Sequence, residues 1–230
     1  ISCHDGIVVV DAGEGFQTRF FEQRKRMKQY DKYHLKPSKV SALCLTHGHL
    51  DHTWGVLPWL QSLALDNRHQ PLLVLGPTTS QVIDALLSEQ PLPNDIHKSD
   101  LAIQYQFWHQ LGATSSGLGY PIRWILGAVD VGRWVEFLDD GQIIELTEMP
   151  QPEGWRKNHI AALSTIHTTP SCAWQVSSSG SPGKFDRVKA KQLALSEAEK
   201  GALASGEDIK HNGKLLKSHD FRGEPMSPLS

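Results

Sequence analysis

Apolar residues fall along the chain in short runs separated by polar, glycine-rich turns, and the spacing of those runs predicts the elements. Ile7-Val8-Val9-Val10 reads as a buried strand ending at Asp11, and Gly13 to Gly15 form a turn into a helix over 16–30. A second strand is expected at 40–45, a helix at 54–64, a third strand at 72–75 closed by Gly76-Pro77, and a helix at 79–87 behind Ser/Thr capping signals. Pro91 and Pro93 close that helix. Further strands are expected at 103–108, 134–138, 143–146, 159–166 and 171–176. Strands interleaved with helices predict an α/β fold, and the pattern fits either a doubly wound sheet or a layered αββα sandwich.

The densest chemistry follows the second strand. Thr46-His47-Gly48-His49-Leu50-Asp51-His52 sets three imidazoles and a carboxylate within six residues. Nitrogen and oxygen donors of this kind suit Zn²⁺ and similar divalent ions. Residues two apart in an extended segment share a side, so His47 and His49 can converge on one ion, whereas Asp51 and His52 diverge as neighbours. The easier arrangement has His47 and His49 on one ion and Asp51 and His52 on a second, the paired-metal geometry of hydrolases that act through an activated water. A strand's carboxyl end is also where open α/β sheets carry their chemistry. The competing reading, surface or core histidines without a ligand role, fits a lone imidazole better than a cluster.

Composition adds bounds. A chain of 230 residues with 39% hydrophobic and 21% charged residues is long enough for one sizeable core and has no disordered character as a whole. Cys3, Cys44 and Cys172 are odd in number and scattered, which favours free thiols in a reducing compartment. No apolar run approaches the roughly twenty residues that span a bilayer, and no secretory signal is present at 1–10. A cytoplasmic protein is expected, with organellar or nuclear sites left open. The remaining histidines, among them His34, His69, His97 and His109, have no partners at ligand spacing and are expected to be exposed or capping, and His211 and the His219-Asp220 pair are assigned no role. Ser177-Ser178-Ser179-Gly180-Ser181-Pro182-Gly183 reads as a linker, and 185–206 as a polar helical stretch with little apolar face that packs poorly into a core.

At this point the chain resembles a family. His47-Gly48-His49-Leu50-Asp51-His52 resembles the H-x-H-x-D-H pattern of the metallo-β-lactamase fold, and three neighbouring stretches resemble its ribonuclease Z branch, the endoribonucleases that process tRNA 3′ ends. These are Val10-Asp11-Ala12-Gly13-Glu14-Gly15-Phe16-Gln17, then Gly55-Val56-Leu57-Pro58, then His167 with Pro170 and Ala173-Trp174-Gln175-Val176. Pro182-Gly183-Lys184-Phe185-Asp186, Lys189-Ala190-Lys191 and Gly206-Glu207-Asp208 are similar to the segment that follows. No motif is matched over 88–157, and the family pattern runs beyond both ends, to a bridging aspartate and a final histidine past Ser230.

The resemblance implies a partial metallo-β-lactamase-like αββα sandwich, a single domain over 1–230 with a protruding arm at 178–223. It implies two Zn²⁺ ions, with other divalent metals as alternatives. His47, His49 and His167 hold the first ion, and Asp51 and His52 hold the second, with Asp51 also steering the attacking water. Asp11 either supports the ligand loop from behind or caps a turn. Glu14 and Gln17 are read as structural. The implied activity is removal of the 3′ trailer from a tRNA precursor by a homodimer, and the fragment by itself is expected to be inactive. In the arm, 195–203 departs from the family's glycine-proline-rich stretch, which puts its tRNA contacts in question, and an ordinary surface excursion fits that region equally well. A net charge of −2 gives no basic surplus for phosphate binding, although Arg24-Lys25-Arg26 with Lys28, and Lys184, Arg187, Lys189 and Lys191, form local clusters. The rivals are another hydrolase of the fold, acting on a small phosphodiester or thioester, and a non-catalytic binding subunit.

Overall fold

The computed structural model describes residues 1–30, 35–178 and 183–223. His34, the middle of the serine-rich linker with Pro182, and 226–230 lie outside the described residues. The chain divides into two compact units, Ile1–Val176 and Ser177–Ser230.

In the first unit, β1 (Ile7–Val10), α1 (Phe16–Tyr30), β2 (Val40–Cys44), α2 (Leu50–Thr53), α3 (Val56–Leu65), β3 (Leu72–Pro77), α4 (Ser80–Leu87), α5 (Leu101–Gln110), α6 (Ser115–Leu118), β4 (Ile122–Ala128), β5 (Arg133–Phe137) and β6 (Ile143–Leu146) follow in order. The six strands form one sheet in the order β1-β2-β3-β4-β5-β6. The first four run parallel, β5 pairs antiparallel with β4, and β6 pairs antiparallel with β5. Parallel strands covered on both faces read as continuous apolar runs, which is why β1 to β3 stand out in the sequence. Alternation then divides each run between two faces. Val9, Leu43, Val74 and Trp124 pack among Trp59, Leu60, Ile83 and Tyr105 from the helices. Val8, Ala42, Cys44, Leu73, Leu75 and Ile125 face Ile160 and Ala162 of β7 (Asn158–Ser164) and Trp174 and Val176 of β8 (Cys172–Ser178), a second, two-stranded sheet. The layers are therefore helices, sheet and second sheet, part of the expected αββα sandwich.

Three sequence expectations are corrected. Residues 103–108 form helix α5 rather than a strand. Ile103, Tyr105 and Phe107 alternate like a strand face, but the side chains that bury are Leu101, Ala102, Tyr105 and Trp108, a helical spacing. Asp100 caps this helix by accepting the Ala102 N–H, and its carboxylate is itself anchored by the Thr78 hydroxyl at 2.9 Å. The seven-residue strand β4, absent from the expected elements, is central to the sheet, pairing β3 over six residues.

Burial at the end of α5 has a measurable consequence. His109 packs on Trp124 and Phe137, each at a centroid distance of 5.7 Å, and burial holds its pKa below the ordinary value of 6.5. The unfolded chain then takes up this proton near pH 6.5 while the folded chain does so only at lower pH. His109's contribution is therefore complete above that value and falls as the pH drops through it. The urea midpoint is expected to decline from pH 7 to 5, and His109→Phe to reduce that decline. An unaltered slope in the variant would show that the burial carries no such cost.

The second unit corrects the third expectation, because 185–206 does build a core. Helix α7 (Arg187–Gln192), helix α8 (Glu197–Ser205), the hairpin β9 (Ile209–His211) and β10 (Lys214–Leu216), and a 3-10 turn at Ser218–Phe221 enclose Ala190, Leu195, Leu203 and Phe221. The apolar positions are too scattered to make one helical stripe, but Leu195 and Phe221 close over them from outside α7 and α8. Asn212 and Gly213 both have positive φ, as a two-residue hairpin turn of type I′ requires. Glu199 completes a capping box with Ser196, and its pKa is lowered to about 2, chiefly by its 2.7 Å bond to His211. His211, given no role from the sequence, thus ties the hairpin to α8.

Candidate metal centre

Every described residue of the centre belongs to the first unit. Three segments converge: the Asp11 turn after β1, the ligand loop after β2, and the loop between β7 and β8. Asp11 adopts φ 57°, a left-handed conformation that an aspartate tolerates better than most residues. That turn aims its carboxylate back at the ligand loop. Oδ1 accepts the Thr46 N–H at 2.7 Å, while Oδ2 accepts the Thr46 hydroxyl at 2.8 Å and the His52 Nδ1–H at 2.7 Å. The single hydroxyl proton of Thr46 being spent on Asp11, its oxygen accepts from His47 Nδ1 at 2.9 Å. Both His47 and His52 are thereby left with Nε2 as a lone pair. Orientation of ligand imidazoles by such a partner is a general feature of metal sites.

Close approach packs this turn against the loop. A Cβ on Gly13 would stand 1.8 Å from the Asp51 carbonyl oxygen, so only glycine fits there. On the other side, Ser171 pairs with His47 in an isolated bridge, Cys172 N donates to Thr46 O at 2.9 Å, and Trp174 Nε1 donates to Leu45 O at 3.0 Å. These bonds fix the β7–β8 loop, and with it His167.

His47, His49 and His167 offer ligand atoms that all lie within 4.8 Å of one another. His167 Nε2 and His49 Nδ1 stand 3.4 Å apart. Two nitrogens each about 2.0–2.1 Å from a tetrahedral ion would be separated by about 3.4 Å, so the donor set fits such a cation. His47 is buried, and that burial, followed by the neighbouring imidazoles of His52, His49 and His167, holds its pKa below the ordinary range. It is neutral, as a ligand must be.

Asp51 Oδ2 lies 3.6 Å from His52 Nε2, and the rings of His47 and His52 are 4.1 Å apart. A second pair of donors thus stands beside the first group. The Asp51 side chain is 81% exposed, so the pair opens to solvent. Glu14 and Gln17 stay outside the cluster, Gln17 donating to the Ser62 hydroxyl. Among residues that sequence reasoning did not single out, Thr46 is the hub that orients His47, and its place at the head of the motif is the one local signal for it. His97 also lies beside His49, with centroids 5.8 Å apart.

The Metallo-beta-lactamase superfamily profile matches residues 4–150, a span that holds Asp11 and the whole ligand loop but not His167. The chain is 24% identical over 221 residues to Ribonuclease Z of Methanosarcina mazei, covering 95% of this chain and 55% of that protein. It is 22% identical over 223 residues to Ribonuclease Z of Methanosarcina acetivorans, again 95% and 55%. The chain spans about half the length of the curated relatives it matches. Human tRNase Z, short form, overlaps at a TM-score of 0.39 and 19% identity, over 76% of this chain and 56% of that one. No described helix is long and apolar enough to cross a membrane.

Proposed function

The chain belongs to the metallo-beta-lactamase superfamily and its histidine cluster suits a divalent metal, and from that premise we propose that it is the metal-binding part of an endoribonuclease that trims tRNA precursors at the 3′ end. His47, His49 and His167 hold one ion, and Asp51 and His52 hold a second. Zn²⁺ is the assigned metal, because imidazole with carboxylate is a donor set that it favours. The observation that carries the reading is the meeting of His167 Nε2 with His49 Nδ1, 3.4 Å apart across 118 residues of sequence. The Ribonuclease Z relatives support RNA as the substrate.

Bound there, the ions supply Lewis acidity toward a phosphoryl oxygen and lower the pKa of a water. The protein's own groups do the positioning. Asp51, exposed beside His52, accepts a hydrogen bond from the attacking water and aligns it. Asp11 and Thr46 hold His52 and His47 in the tautomers that leave Nε2 unprotonated. The second unit serves to hold the tRNA body, with Arg187 and Lys191 along a groove beside Phe185, where Lys200 is paired to Glu197 at 2.7 Å. Assembly is as a homodimer in the cytoplasm.

The whole, metal-loaded protein is expected to cut a tRNA precursor at the 3′ trailer and to lose that activity on chelation. Bis(nitrophenyl) phosphate serves as the generic substrate. Hydrolysis of the nitrophenyl ester with an intact precursor would replace the tRNA reading with a small-phosphodiester hydrolase, and no turnover of either would leave a binding subunit.

A further inference from the structure

His97 lies on the segment between α4 and α5, and its ring faces that of His49 at 5.8 Å and an interplanar angle of 70°. Its Nδ1 accepts the Ser99 backbone N–H at 3.2 Å. A backbone amide can only donate, so Nδ1 carries the lone pair and the ring N–H is on Nε2. The segment is clamped on both sides of the ring. Asp100 N donates to the His97 carbonyl at 2.8 Å, and the buried Asp100 carboxylate is held by Thr78 and Ala102. Toward the ligand loop, a Cβ on Gly48 would stand 1.8 Å from the Ser99 carbonyl oxygen, and Gln104 Nε2 donates to the Gly48 carbonyl. The ligand loop and the 97–100 segment are thereby one packed body.

Packing does not account for this ring, since His97 is exposed. It also stands outside the group formed by His47, His49 and His167. An N–H donor fixed in direction at the rim of a cation site has an anionic oxygen as its natural partner. We propose that His97 is a substrate-binding residue whose Nε2–H donates a hydrogen bond to a phosphate oxygen of a phosphodiester held at the histidine cluster. The inference rests on the phosphodiester reading given above and adds a contact that neither the ligand motif nor the family profile assigns. No proton is transferred: Nε2 donates a hydrogen bond and keeps its proton.

The test uses the whole metal-loaded protein with two probes, a tRNA precursor and inorganic phosphate. For His97→Ala, loss of one hydrogen bond to a charged acceptor is expected to raise KM for the precursor about tenfold or more, with kcat within about twofold. The dissociation constant of inorganic phosphate rises in parallel, while bound metal per chain stays at the wild-type level. His97→Gln, which offers an amide N–H near the position of Nε2, recovers most of the affinity. Imidazole nitrogen chemical shifts in the wild type report the Nε2–H tautomer. Unchanged phosphate affinity in His97→Ala overturns the inference, as does a loss of metal, which would make His97 a ligand. If the wild type cuts no tRNA precursor but His97→Ala still weakens phosphate binding, the tRNA reading falls and the His97 contact stands.

Discussion

Replacing His167 with alanine is expected to reduce the proposed phosphodiester hydrolysis by the whole, metal-loaded protein on the order of a thousandfold, because a bound cation would contribute several kcal/mol of transition-state stabilisation. The variant leaves His47 and His49 as the remaining members of a three-nitrogen group, too few for a firm site. His167 is exposed on the loop between β7 and β8 and buries no apolar surface of consequence, so the fold does not depend on it. Stability of the metal-free protein is expected to change by less than about 0.5 kcal/mol. Turnover, metal per chain by mass spectrometry and a urea midpoint in chelator separate the two effects. Wild-type metal content and turnover in this variant would remove His167 from the site.

Asp11→Asn is expected to weaken metal binding about 10–100-fold, the usual range when a group that orients a ligand is lost. Asparagine tolerates the positive φ of this position and keeps one carbonyl oxygen for the Thr46 N–H. Its amide nitrogen can accept from neither the Thr46 hydroxyl nor His52 Nδ1, the two donors that share Oδ2 of Asp11. Asp11→Ala loses the same bonds and adds backbone strain at φ 57°, with the Thr46 N–H left unpaired. The asparagine variant should therefore move metal affinity more than stability, and the alanine variant both. Metal affinity unchanged in Asp11→Asn would reduce Asp11 to a turn cap.

The ligand loop is legible in the sequence because one contiguous segment carries four of its donors. Strands β1 to β3 are legible because burial on both faces writes them as unbroken apolar runs. Where alternation and helical spacing coexist, as over 101–110, the decision comes from outside the segment, through the Thr78 hydroxyl that anchors the cap at Asp100. The apolar Trp124-Ile125-Leu126 run carries a signal for β4 that the flanking glycines obscure. His97 has no local signal at all, since its nearness to His49 depends on Gly48 meeting Ser99. The core of the second unit is equally hidden, because Leu195 and Phe221, outside α7 and α8, complete what Ala190 and Leu203 begin.

His49 and His167 are separated by 118 residues, and the bonds that fix the β7–β8 loop reach back to Leu45, Thr46 and His47. A cation shared by these two histidines can be captured only after that loop has docked. On the proposed assignment its uptake would be a late event on the folding path, and its free energy would accrue to the docked structure alone. Chelator present during refolding should spare early collapse and forfeit only the final gain in melting temperature. An ion held there would act as a latch on the docked loop rather than a seed for folding.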